Sequence, residues 1–302
     1  MAVLSTAARA ALIGSFVCSL VLTPAIAELS QVLLRVEARN ESGEAQFDVL
    51  TQDATQDPNT ADVTWLWSGA PLELRDPDTN ALVARVTGAF VEIRDNQELQ
   101  VNVGVEAGTT TTEFEIRSAE VSFLLVPEEY AQCRAIATVS LTDTGGVGGN
   151  AIVYGLGPVG IGIFRAYYNG DSYDGDPFTD LVGFVFTSNG GSASVFQADP
   201  AVGTRPIGAD VWSLSTKSAF VLTPNDRCSV TSLMGLSAPE WCPGDLDGDG
   251  VVNIADLTRL LESYGLDSAD AQYFEDADFN RDDAIDLFDL STLLTYFGTS
   301  CS

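Results

Sequence analysis

Apolar and polar residues alternate in short runs from residue 28 to residue 240, and Gly, Pro, Asn, Asp and Ser punctuate the gaps. Runs rich in Val, Ile, Leu, Thr and aromatic residues fall at 32–38, 63–67, 82–86, 89–93, 99–105, 112–116 and 121–126. Others follow at 135–141, 161–168, 181–186, 194–196 and 219–222. Such runs, separated by turn residues, predict short antiparallel strands. No long amphipathic helix interrupts them, so an antiparallel sandwich or jelly-roll-like domain is expected. After residue 241 the period changes. Leu257, Leu260, Leu261 and Tyr264 recur at helical spacing, as do Leu290, Leu293, Leu294 and Phe297, and Gly265 and Gly298 follow as stops. The chain therefore reads as mainly β with a small α-helical C-terminal domain. At the other end Arg9 precedes an apolar stretch over 10–22, then Pro24 and Ala25-Ile26-Ala27. That pattern predicts a cleavable signal peptide, because the stretch is shorter than the roughly 20 residues of a membrane span. The expected divisions are a signal peptide over 1–27, a β-rich domain over 28–240 and a C-terminal domain over 241–302. The mature protein is expected to be secreted, extracellular or associated with the cell surface, without a membrane span.

The two helical stretches belong to an internal repeat with a period of 33 residues, in which Asp245 to Gly265 aligns with Asp278 to Gly298. Ahead of each helix runs an acidic loop with oxygen-bearing residues at alternate places. Asp245, Asp247 and Asp249 hold the first, third and fifth places of the first copy, and Asp278, Asn280 and Asp282 those of the second. The seventh places, Val251 and Ala284, would offer a backbone carbonyl; the ninth are Asn253 and Asp286, and the twelfth Asp256 and Asp289. This is the spacing of a calcium loop, since a hard cation taking six to eight oxygens is met by a chain that curls round it. Two loops in register predict two calcium ions. Val252 and Ile285 at the eighth places can pair apolar side chains between the loops. The second loop carries Asp283 where the sharp turn favours Gly, so it is expected to be the weaker site.

These EF-hand-like loops, each followed by a helix and ending in aspartate, resemble the type I dockerin family over residues 242–302. The resemblance implies two bound calcium ions and docking onto a cohesin-like domain or cell-surface scaffold, in proteins associated with polysaccharide. Two features depart from the pattern of cohesin-binding dockerins. Ile254-Ala255 and Leu287-Phe288 stand where Ser-Thr is frequent, and Leu261-Glu262 and Leu294-Thr295 where Lys-Arg is frequent. The sequence Cys242-Pro243-Gly244-Asp245 also resembles the tails of many secreted planctomycete proteins.

Charge narrows the partners. Residues 28–241 hold 29 acids and 11 bases, residues 242–302 hold 14 and 2, and with Arg9 these give the net charge of −29. Lys217 is the only lysine, so nucleic acid and anionic membranes are excluded as partners and cations are favoured. The chain contains no histidine, which removes His-based catalysis and His-containing metal sites. Cys133, Cys228, Cys242 and Cys301 remain after signal cleavage, an even number that predicts disulfides. Of three connectivities, Cys133 with Cys228 and Cys242 with Cys301 is expected, stapling each region internally.

Within the β-rich region, Gly155-Leu156-Gly157-Pro158-Val159-Gly160 matches a dinucleotide fingerprint in form only. The segment after it is β-prone and supplies no helix N-terminus, so a glycine-rich connection is expected. The acidic stretch 169–176, followed by Asp180, reads as a solvated loop rather than a further calcium site. Trp65, Trp67, Tyr167, Tyr168 and Tyr173 could stack on sugar rings, but alternation favours core packing. The favoured function is a non-catalytic β domain organised by the calcium module. The alternative is a glycoside hydrolase with paired carboxylates among Glu92, Glu113, Glu115, Glu120, Glu128 and Glu129, and a third reading gives calcium a stabilising role alone.

Overall fold

The computed structural model describes residues 32–56, 65–69, 71–94, 97–145, 148–157, 161–238 and 242–301. The expected signal peptide and the side chains of Trp65 and Trp67 lie outside the described residues. Two nine-stranded sheets dominate. The first runs in the order Asp176–Leu181, Phe164–Tyr168, Val211–Leu222, Thr112–Ser118, Val32–Asn40 and Gly43–Leu50. Val121–Val126 and Asn150–Gly155 also pair with Val211–Leu222, and Phe184–Ser188 adds to Asn150–Gly155. The second runs Ser192–Asp199, Gln132–Thr142, Arg227–Ser237, Glu98–Ala107, Leu82–Arg94, Trp65–Gly69 and Thr55–Gln56. Arg205–Pro206 and Leu72–Arg75 complete it. Every pairing is antiparallel.

Period-two alternation builds the sandwich. Along Glu98–Ala107 the residues Leu99, Val101, Val103, Val105 and Ala107 are buried, while the intervening side chains are partly exposed. The inward faces of both sheets share one apolar core, in which Phe114 and Phe220 stack at 5.4 Å between ring centroids. Burial on this scale, at about 25 cal/mol per Å² of apolar surface, gives the sandwich its own driving force for folding.

Five expectations are corrected. The run at 181–186 is two strands, because Val182 has φ 59° and the chain leaves one strand at Leu181 to start another at Phe184. The runs at 82–86 and 89–93 are one strand, whose register shifts between Val86 and Gly88. Val211–Leu222 extends well beyond 219–222, and Arg227–Ser237 forms a full strand where none was expected. Cys133 and Cys228 are not bridged. Cys133 lies opposite Leu236 and Cys228 opposite Leu141, eight positions apart along one strand pair, or roughly 26 Å at about 3.3 Å per residue. A disulfide needs Cα atoms within about 7 Å.

The C-terminal segment contains two helices, α1 (Ile254–Ser263) and α2 (Leu287–Tyr296). Leu246, Val252, Leu260, Ala277, Ile285 and Leu293 form its buried core. The expected Cys242–Cys301 disulfide is present, with Cα atoms 5.7 Å apart, and closes 59 residues of chain. Val252 and Ile285 share the core, but their backbones do not pair with each other. Val252 bonds to Gly298 and Thr299 after α2, and Ile285 to Gly265 and Leu266 after α1, so each loop is closed by the chain leaving the other half. Arg281 reaches the sandwich through an ion pair with Asp210.

Candidate metal centre

The loop-to-helix junction is fixed by reciprocal capping. Asn253 precedes α1 and accepts a hydrogen bond from the Ala255 amide at 2.8 Å, and Asp286 accepts one from Phe288 at 2.7 Å before α2. Asp256 and Asp289, three residues on, answer with carboxylates that accept from the Asn253 and Asp286 amides at 2.7 and 2.8 Å. Their second oxygens reach back to the loop starts. Asp256 accepts from Leu246 at 2.8 Å and Asp289 from Phe279 at 2.8 Å. Both twelfth-place carboxylates therefore lie fully buried beneath their loops.

In the first loop, carboxylate oxygens of Asp245, Asp247 and Asp249 lie within 4.8 Å of one another. Asp245 accepts from the amides of Gly248, Asp249 and Gly250, which wraps the chain round its carboxylate. Asn253 donates to the Val251 carbonyl at 2.9 Å, so the fifth, seventh and ninth places lie together. The second loop repeats the pattern: Asp278 accepts from Asp282 and Asp283, Asn280 donates to Asp282 at 2.9 Å, and Asp282 accepts from Ala284. Tyr273 adds a donor that the spacing did not predict, with its hydroxyl 2.5 Å from Asp278.

The donor set fits a divalent cation. Asp256, Asp278 and Asp289 are buried carboxylates, and among the described residues no arginine or lysine forms an ion pair with them or with Asp245, Asp247 and Asp249. Burial pushes the Asp289 carboxyl above its ordinary range; the amides of Asp286 and Phe279 oppose this, and the charges of Asp278 and Asp286 add to it. A divalent ion at the site would reverse that repulsion. Cys242 and Cys301 lie near Asp245, but their sulfurs are consumed in the disulfide.

The loops differ where the chain turns sharply. Gly248 and Gly250 take positive φ of 76° and 83° in the first, and Arg281 and Asp283 take 51° and 68° in the second. The cost expected at Asp283 recurs at Arg281, the fourth place.

The other features of the β-rich region separate. Among the described residues no helix follows Gly155-Leu156-Gly157, and the next element is the strand Phe164–Tyr168. In the acidic loop, Asp171 and Asp174 accept from the loop's own amides, and Asp180 pairs with Arg165 at 3.1 Å. Tyr167 is buried and Tyr168 packs against the core, whereas Tyr173 is exposed over the Arg117 guanidinium at 4.5 Å. Glu115 lies directly across from Glu37, a carboxylate that the sequence reading did not weigh. Burial raises the Glu115 carboxyl, but hydrogen bonds from Lys217 and Arg117 outweigh it and hold it below the ordinary range.

The C-terminal segment is thus a paired loop-helix module with the residue spacing of calcium loops. Residues 243–298 match the family model of the dockerin type I domain, so the resemblance extends over almost the whole module. Dockerin domains bind calcium and dock onto cohesins. No curated protein matches the chain. Among solved structures, the chain is similar to TmCBM61 in complex with beta-1,4-galactotriose at 10% identity and TM-score 0.23, over 61% of this chain and 86% of that one. It is also similar to infectious bursal disease virus Gx strain at 10% identity and TM-score 0.20, over 69% of this chain and 57% of that one. Likenesses at these values carry no argument about ligand or activity. Among the described residues, no helix is long and apolar enough to cross a membrane.

Proposed function

We propose that this is a secreted calcium-binding protein whose module, residues 241–302, docks a non-catalytic β-rich domain, residues 28–240, onto a partner. Each loop takes one calcium, with Asp245, Asp247, Asp249, Val251, Asn253 and Asp256 around the first. Asp278, Asn280, Asp282, Ala284, Asp286 and Asp289 surround the second. The observation that carries this reading is the convergence of three aspartates above a buried fourth, Asp256, with no ion pair to a basic side chain among the described residues. Calcium would neutralise the loops and hold the helices in their exchanged arrangement.

The partner is a cohesin-like domain or cell-surface scaffold in a polysaccharide-associated assembly. Docking draws support from equivalent exposed apolar residues on the two helices, Ile254 with Leu287 and Leu261 with Leu294. In each helix these lie seven residues apart and therefore on one face. Their chemistry calls for an apolar partner surface, unlike the Ser-Thr positions of many cohesin-binding relatives.

The hydrolase reading draws on Glu37 opposite Glu115 on neighbouring strands, a pair of carboxylates both held by Arg117. Against it, a general acid needs a raised carboxyl, and Glu115 is lowered.

Calorimetric titration of calcium into the mature chain tests the proposal, with circular dichroism to follow the helices. Two binding events are expected, the weaker lost in Asp278→Ala and the stronger in Asp245→Ala. No binding at millimolar calcium would overturn it. Calcium-dependent folding without capture of any cohesin-like domain would reduce the ion's role to stability.

A further inference from the structure

The outer face of the first sheet carries a second constellation. Strand register lines up Phe184, Tyr154, Val221, Glu113, Arg39 and Glu44 in one transverse row, in which Val221 is buried and the residues on either side of it are not. Five inter-strand gaps of about 4.8 Å make that row roughly 24 Å long. Its first end is aromatic and wet: Phe184 is 65% exposed, Phe186 beside it 54% and Tyr154 44%. Its second end is polar and hollowed. A cavity of about 390 Å³ is lined by Glu37, Glu44, Gln46, Arg75 and Pro77, and a smaller one lies between Arg39, Glu113, Glu115 and Leu156.

The charges on this face are already spent on one another. Arg39 pairs with Glu44 at 2.7 Å, Arg117 with Glu37 at 3.0 Å and Lys217 with Glu115 at 2.9 Å. Arg35 pairs with Asp48 and Arg165 with Asp180 in the row beyond. On a protein of net charge −29 this is a nearly balanced surface, on which five cations face six carboxylates counting Glu113. It offers fixed hydrogen-bond donors and acceptors without selecting a counter-charge. A polyanion, or a second copy carrying the same charge, is repelled by the molecule as a whole. An uncharged chain rich in hydroxyl groups is not: its C–H faces match aromatic rings and its hydroxyls match paired carboxylates and guanidinium groups.

We propose that this face, from the Tyr154, Phe184 and Phe186 strip to the hollow beside Glu37 and Glu44, binds an uncharged polysaccharide. The row's length suits an extended chain rather than a single ring. The site is separate from the calcium module and stands or falls without it.

Affinity electrophoresis of the mature chain with calcium, through gels containing hydroxyethylcellulose, galactan, mixed-linkage glucan, arabinoxylan, alginate or polygalacturonate, tests the proposal. At least one of the four neutral polymers should retard the protein. The Phe184→Ala, Phe186→Ala double variant should weaken that retention tenfold or more, and Glu113→Ala severalfold. Phe196→Ala, an exposed aromatic on the second sheet, should leave retention unchanged. Retention by no neutral polymer, or equal loss in the Phe196→Ala control, would overturn the proposal. A dimer in sedimentation that the double variant abolishes would assign the strip to a second copy and overturn it as well.

Discussion

The sandwich draws one continuous core from both of its sheets, whereas the C-terminal module encloses six buried apolar residues between two ten-residue helices. The module also carries the higher density of acid, 14 carboxylates against 2 bases in 61 residues. Three of its carboxylates, Asp256, Asp278 and Asp289, are buried without basic partners in the two acidic loops, while the sandwich holds its buried Asp143 and Asp226 with amides and hydroxyls and matches others to Arg and Lys across an outer face. A large core can carry a fold unaided, but a small one needs cross-links or ions. The same residue type, a glutamate or aspartate, thus meets bases across the sandwich face and is left without them in the acidic loops.

Removing the ion should separate the two regions most. With EGTA the helical signal of the module should vanish while the melting transition of the sandwich stays in place; a single transition that moves as a whole would break the comparison. Replacing Cys242 and Cys301 by Ser should come next. Opening a 59-residue loop costs about 4 kcal/mol in the chain-entropy picture, read as a lower urea midpoint for the module alone. Cys133→Ser or Cys228→Ser opens no loop, and because burial pushes both thiols up to about 12, neither should react with iodoacetamide until the sandwich unfolds.

Matched core truncations sharpen the contrast further. Leu293→Ala in the module and Leu141→Ala in the sandwich should each cost about 3 kcal/mol. Only the first should raise the calcium concentration needed for the helical signal to appear. Asp283→Gly should tighten the second loop about fivefold, the roughly 1 kcal/mol cost of a non-glycine residue at φ 68°, measured by calorimetry. The smallest effect concerns acid. Because the Glu115 carboxyl is held low in the folded state, its contribution to sandwich stability is present above the ordinary glutamate value and is lost as pH falls through the lowered one. Glu115→Gln should flatten that part of the pH profile and leave the module's acid response untouched.

The module was legible because its loops and helices are local. Asp245 to Asp256 specify a turn, a cap and the proposed cation site within twelve residues, and the 33-residue repeat states the pattern twice. What the sequence hid there was the exchange between halves, since nothing local in Val252 tells it to bond to Thr299 rather than to Ile285. Tyr273, outside the loop motif, was hidden for the same reason. In the sandwich the period-two signal was enough for fold class but not for every strand. Arg227–Ser237 alternates Cys228, Val230, Ser232, Met234 and Leu236 inward, a signal broken by polar Ser232 on the inner face and apolar Leu233 on the outer one. The outer-face rows depend on which strands neighbour which, and so does the failure of Cys133 to meet Cys228. Both are settled by long-range register.

The disulfide at the two ends of the module has a further consequence. It makes residues 242–301 a closed ring, with the segment between α1 and the second loop as the stretch joining the two halves. A protease that cut this stretch would not release either half, because the first loop would remain covalently tied to the tail that closes it. New chain ends placed there by circular permutation should likewise be tolerated, provided the ring is sealed before the cut is made.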